Sequence, residues 1–386
     1  MRAAKRLQNL PPYPFATLER RIAELKSKGM DIVRLDIGSP DLPPPPFIVE
    51  ALYKSAQAPT NHGYPGYYGT PQLRRAIADY YARRFGVELD PKEEALVLIG
   101  SKEGLAHASL AFLDPGDLAL IPDPGYPTYY LSTLLAGGEV YYMPLLAENE
   151  FFPDFSAIPT EIAERARLMW LGYPNNPTGA TANLDSLSRA VDFARAHDIL
   201  LCHDNPYCDL TYDGYLAPSI LQIPGAKEVG IEFNSLSKTY NMAGWRVGMA
   251  VGNAEAIKAL ALVKSNVDSG VFLPIQDAAV AALTGDQSWI PERNAIYQER
   301  RDIVMEGLKE LGLEAERPKA ALYVWVRIPA GCTSQDFATR LLEEKGVSVA
   351  PGNYYGPSGE GYVRISLTIP PERLREGMRR MREFEF

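Results

Sequence analysis

Lys238 stands among small hydroxyl residues in the stretch NSLSKTYNMAGWRVG (234–248), with Ser235 and Ser237 just before it and Arg246 eight positions on. A deprotonated lysine amine attacks an aldehyde to give a Schiff base. Hydroxyls and a guanidinium are the groups that bind a phosphate. The segment therefore carries partners for an aldehyde that also bears a phosphate. Taken alone, S-x-S-K is weak, because Lys, Ser and Gly are common and a loop lysine is ordinarily solvated. Other segments must supply the remaining partners.

Three of them do, in order: YPNNPTG (173–179), HDNPY (203–207) and YVRIS (362–366). With S-x-S-K-x₇-R-x-G, this set resembles the class I aminotransferases, which use pyridoxal phosphate (PLP) on the fold type I scaffold. GSKEGLAH (100–107), LDIGSPDLPPP and SLSKTYNMAGWR are similar to a bacterial branch, the LL-diaminopimelate aminotransferases. The implied fold is α/β, a mostly parallel central sheet with a smaller α+β domain.

The resemblance implies a role for each motif residue. Asp204 would lie beside the pyridine nitrogen and keep it protonated, since an opposite charge favours the protonated form. Tyr207 and Asn176 would donate to the ring's phenolic oxygen, and Tyr126, in PDPGYPTY, would stack on the ring. Ser101 and the amides of Lys102 and Glu103, opening a helix over 103–112, would cradle the phosphate, because helix N-termini bind anions. Ser235, Ser237 and Arg246 would complete that cradle. Tyr64, in GYPGYYGTPQLRR, would serve the phosphate of a neighbouring subunit, which implies a homodimer with shared sites. Arg364 would grip the substrate α-carboxylate with two prongs, as lysine cannot, beside Asn176 and the Gly38 backbone. Lys238 would yield the cofactor to the substrate amine and then carry the Cα proton. Lys102 matches a lysine that relatives use for the far end of diaminopimelate. Tyr13, in a proline-rich arm that could reach a partner subunit, joins Tyr126 in the implied substrate set.

Two departures bear on the substrate. Tyr67 stands where those relatives carry a glutamate, and HDNPY replaces an HDAAY-like form. N-succinyl-diaminopimelate, aspartate and a broad amino-acid range therefore stay open, as does C–S β-lyase chemistry, which would keep every cofactor residue. A PLP-binding regulator lacks support, since no DNA-binding arm or basic surplus is visible.

Composition narrows the partners. A formal charge of −9 argues against nucleic acid and anionic membrane. No apolar run reaches the ~20 residues of a spanning helix, and the N-terminal stretch lacks the apolar core of a signal peptide. The three cysteines form no C-x-x-C pair and fit reduced thiols in the cytoplasm. The four histidines show no ligand spacing, so no metal is expected.

The elements that must position these residues follow from periodicity. Apolar strands are predicted at 95–99, 118–121, 140–143, 167–171, 199–203, 229–233 and 246–251, alternating with amphipathic helices such as 72–85 and 185–196. That alternation predicts a sheet covered on both faces. Ser101, Tyr126, Asn176, Asp204 and Ser235 all fall just after strands, and ligands on such sheets bind outside the carboxyl ends. A strand over 33–38 ends in Gly38, and Pro43 to Pro46 reads as a polyproline connector. At 386 residues two domains are expected: 48–285 as the large one, 1–47 with 286–386 as the small one. The small one should hold helices at 17–28, 291–311, 334–345 and 371–383, and strands at 321–328, 347–350 and 362–367.

Overall fold

The computed structural model describes residues 3–8 and 10–385. Its centre is a seven-stranded sheet: Ala95–Leu98 (β1), Leu118–Asp123 (β2), Glu139–Pro144 (β3), Ala166–Gly172 (β4), Leu200–Asp204 (β5), Gly230–Ser235 (β6) and Gly248–Gly252 (β7). The strand order is β1-β7-β6-β5-β4-β2-β3. Neighbours from β6 through to β3 pair in parallel, whereas β7 is antiparallel to both β1 and β6. Segments such as ALVL and MWLG are buried throughout, as expected of strands covered on both faces. Two apolar clusters flank the sheet, one running through Tyr81, Leu187 and Leu283, the other through Leu105, Trp170 and Leu260.

Local signals set the covering helices. Thr70 caps Pro71–Phe85 by accepting from the Leu73 amide, and Gly86 ends that helix in the left-handed conformation. Asn183 and Ser186 form a reciprocal capping box at the start of Leu184–Ala196. Pro46 corrects the connector reading: it is the first residue of the helix Pro46–Ala56. A proline is tolerated there because its missing N–H would have no helical acceptor.

A third cluster joins the long helix Trp289–Leu311, the antiparallel strands Tyr323–Arg327 and Tyr362–Ser366, and the last helix Pro371–Arg382. The predicted strand over 33–38 contracts to Val33–Arg34, which pairs in parallel with Val347–Ser348. The remainder, Leu35 to Gly38, runs on as irregular chain, and hydrogen bonds tie its backbone down: the Leu35 carbonyl accepts from the Ser366 amide. Among the described residues, no helix is long and apolar enough to cross a membrane.

Candidate active site

Six strands end at one edge of the sheet, and the chain at or after the ends of five of them lines a cavity of 540 Å³. That volume suits a small organic ligand. Ser101, Tyr126, Asn176, Asp204 and Ser235 all reach it, together with Ser237, Lys238, Tyr207, Arg246, Lys102, Gly38, Tyr13 and Arg364. Arg246 arrives differently from the predicted strand 246–251. It sits in a left-handed turn (φ 55°) just before β7. Because β7 runs antiparallel, its beginning lies at the edge where its neighbours end.

Lys238 belongs to a single helical turn, Leu236–Thr239, capped by Ser235, whose hydroxyl accepts from the Ser237 amide. Its ammonium donates to the Gly38 carbonyl at 2.5 Å. Burial, then the Arg364 and Arg246 charges, pull its pKa down to about 7, against the pull of Asp204. A neutral amine is thus available near neutral pH.

Asp204 closes β5. Burial pushes its carboxyl up to about 6, resisted by the Tyr129 hydrogen bond and the charges of His203 and Lys238. Tyr129 donates to Oδ2 at 2.8 Å, while Oδ1 is buried with no hydrogen-bond partner in the protein. Such an oxygen is costly unless a ligand donor meets it. Tyr129 itself was not foreseen from the sequence. It stacks on Trp170 at 5.1 Å, and a Cβ on Gly172 would stand 2.6 Å from its hydroxyl. The available signal was spacing: Tyr129 lies one helical turn beyond Tyr126.

At the other end, the helix Ser101–Phe112 begins two residues earlier than predicted. Its first amides, those of Ser101 and Lys102, have no intrahelical acceptor. Gly100 (φ +73°) lets the Arg246 guanidinium lie against this turn, since a Cβ there would be 2.4 Å from Nη2. A Cβ on Gly248 would meet the Ser101 amide at 2.7 Å. Glu103 departs from its predicted role. Its amide donates to the Gly100 carbonyl, and its side chain turns away from the cavity to His107 and Lys264.

Arg364, 3% exposed, projects from Tyr362–Ser366. It donates to Asn176 Oδ1 at 2.8 Å and to the Asp36 carbonyl at 2.7 Å, with the Tyr323 ring 4.0 Å from its centre. Nε has no partner, and among the described residues no carboxylate lies within ion-pair range. A buried guanidinium without a counter-ion is poised for an anion. Tyr323, also missed from sequence, pairs with the Tyr207 hydroxyl at 2.8 Å and donates to the Gly38 carbonyl at 3.3 Å. A Cβ on Gly38 would be 2.9 Å from that hydroxyl, so a larger residue would push Tyr323 aside. Tyr13 lies over its own chain's cavity, its ring 4.3 Å from the Lys102 ammonium. Tyr64 is 91% exposed and is absent from the cavity lining.

The donor set fits pyridoxal phosphate: an orphaned carboxylate oxygen, a lysine whose amine is depressed to about 7, and hydroxyls, amides and a guanidinium converging where glycines keep space clear. Comparison with known proteins agrees. Residues 30–381 match the family described as aminotransferase class I and II. The chain is 55% identical over 382 residues to an LL-diaminopimelate aminotransferase of Moorella thermoacetica, covering 99% of this chain and 98% of that one. It superposes on substrate-bound BacF of Bacillus subtilis with a TM-score of 0.96 at 40% identity, covering 99% and 98% of the two chains. For a probable N-succinyldiaminopimelate aminotransferase of Thermus thermophilus the TM-score is 0.91 at 40% identity, with 96% and 99% covered. The family match over residues 30–381, on this scaffold and with these relatives, places the chain in the class I and II aminotransferases, which depend on pyridoxal phosphate.

Proposed function

We propose that the chain moves an amino group between LL-diaminopimelate and 2-oxoglutarate. The observation that carries this reading is full-length identity above one half with LL-diaminopimelate aminotransferases. The cavity offers matching chemistry. Beyond Arg364, it is lined by Lys102 and by Glu19 and Asp36. Arg34 bonds to both acids, which leaves one net negative charge in that trio. A distal amino-carboxylate end can therefore meet a cation and an excess anion in one wall.

When bound, the cofactor supplies an aldehyde that condenses with amines and a ring that accepts the electron pair from Cα. Asp204 Oδ1 would hold the ring nitrogen's proton, Asn176 and Tyr207 would face the phenolic oxygen, and Tyr126 would cover one ring face. Ser101, the Lys102 amide, Ser235, Ser237 and Arg246 would hold the phosphate. Arg364 binds the α-carboxylate and so fixes Cα of the donor. Lys238 takes the Cα proton, for which an amine titrating near 7 is suited.

The test is a panel of amino donors with 2-oxoglutarate. LL-diaminopimelate should give kcat/KM at least about tenfold above aspartate and N-succinyl-diaminopimelate. Preference for the succinylated donor would overturn the reading, and release of pyruvate and ammonia without an acceptor would mark lyase chemistry.

Arg364→Lys is expected to keep cofactor colour and raise KM for every carboxylate donor. A two-pronged charged contact is worth roughly 1.5–3 kcal/mol, so kcat/KM should drop about tenfold to a hundredfold. Oxo acids should weaken in parallel, and an amine lacking a carboxylate should be indifferent. Unchanged KM for carboxylate donors would place the anchor elsewhere.

The working unit in this proposal is a homodimer, with Tyr64 lent to the neighbouring phosphate site. Its near-complete exposure supports that role. Lys238→Ala and Tyr64→Phe chains, each severely impaired alone, should regain activity when mixed, because one site of each mixed dimer is intact. No recovery after demonstrated subunit exchange would exclude the shared site.

A further inference from the structure

Lys264 is fully buried, yet no step above uses it. It projects from the helix Ala254–Val267 and touches two carboxylates. Its ammonium lies 2.8 and 2.9 Å from the Asp268 oxygens, and 3.3 and 3.5 Å from those of Glu103. Glu103, His107 and Asp268 are the one group of metal-type ligands among the described residues. Here the Lys264 ammonium supplies the positive charge between its two acids.

Each carboxylate in turn fixes backbone. Glu103 Oε2 accepts from the Ile99 amide at 2.6 Å, and Oε1 faces His107 Nδ1 at 2.8 Å. Ile99 leads directly into Gly100 and Ser101, the turn that presents the helix-start amides. On the other side, Asp268 Oδ1 accepts from the Gly270 amide at 2.8 Å. Gly270 (φ +92°) packs so closely on the segment carrying Tyr64 that a Cβ there would be 2.1 Å from the Gly66 carbonyl. That segment is also bonded to β1, through the Val97 amide and the Tyr68 carbonyl at 3.1 Å.

We infer that Lys264 is a positioning residue for the cofactor's phosphate: its buried ammonium clamps Glu103 and Asp268, and so locks the Ile99–Ser101 turn and the Gly66 segment to each other. It touches neither cofactor nor substrate. The inference rests on the assignment of Ser101 and its neighbours to the phosphate, and it is independent of which amino acid is the donor. Removing the ammonium leaves two carboxylates facing one another in a poorly solvated place, which forces them apart. The amides at the head of the helix then lose their common aim.

The experiment compares two probes on the full-length protein, pyridoxal phosphate and pyridoxal, which lacks the phosphate. Both condense with Lys238, so the ratio of their dissociation constants isolates the phosphate contribution. In Lys264→Met, the dissociation constant for pyridoxal phosphate should rise about tenfold or more, and that for pyridoxal less than twofold. Lys264→Gln, which keeps polarity without charge, serves if the methionine variant does not fold, with an expected rise of about threefold or more for the phosphorylated probe alone. Ser101→Ala tests the underlying assignment separately, since it should also weaken only the phosphorylated probe. A folded Lys264 variant with an unchanged ratio, or with both probes weakened equally, would overturn the inference even where Ser101→Ala behaves as expected.

Discussion

Lys238→Ala should lose at least about 10⁴-fold in single-turnover amino transfer while remaining folded. A positioned general base contributes typically 10²–10⁴, and in the proposed mechanism this lysine also supplies the amine that holds the cofactor covalently. No second lysine is free to replace it: among the described lysines only Lys102 shares the cavity, and its ammonium is engaged over the Tyr13 ring. Borohydride reduction of the wild-type protein should fix the cofactor on Lys238, as peptide mapping would show. An adduct on another lysine would end the assignment. The pH dependence has a definite sign. Burial and two guanidinium groups depress this amine to about 7, so the nucleophilic form prevails above that pH and is lost as pH falls through it. Capture of cofactor by the cofactor-free protein should accelerate as pH rises through about 7 and then level off. A lysine of ordinary pKa would keep accelerating to beyond pH 9.

How much of this site was legible in the sequence depends on how local its causes are. Lys238, Asp204 and Ser235 sit at or just beyond the ends of apolar runs, and the rule that ligands bind at carboxyl strand ends placed them without knowledge of sheet order. Arg246 is the counter-example. Its apolar successors made it look like the first residue of a strand, whereas a left-handed turn and an antiparallel neighbour aim it back at the cavity. Sheet order is non-local, and nothing in GWRVG states it. Glu103 departs for a more local reason: the helix starts at Ser101, two residues earlier than its apolar pattern indicates, so the Glu103 amide, read as part of the cradle, donates to the Gly100 carbonyl. Tyr323 and Asp36 reach the cavity through the packing of a separate strand pair and an irregular N-terminal segment, which periodicity cannot place.

Asp204→Asn offers the most direct test of how the site governs charge. The substitution keeps the shape and an oxygen able to accept from Tyr129, and removes only the negative charge. In the native protein burial lifts this carboxyl to about 6, opposed first by the Tyr129 hydrogen bond, so at pH 7.5 the ionised form still prevails. Among the described residues its free oxygen, Oδ1, is the one buried carboxylate atom lining the cavity that has no protein partner. In the proposed site a cationic ring N–H would gain Asp204 as its counter-ion in a poorly solvated place, where such pairing is strong. The amide cannot hold that proton, so stabilisation of charge developing at Cα is lost. Loss of a preorganised electrostatic partner costs typically 10²–10³ in kcat, and that range is expected here. KM for the donor should move little, because the proposed carboxylate anchor, Arg364, projects from a different strand. The effect should also be blind to donor identity, unlike changes at Lys102. A fall in kcat of less than about threefold, or a loss carried entirely by KM, would remove Asp204 from the ring nitrogen and leave its orphaned oxygen to be explained by another ligand group.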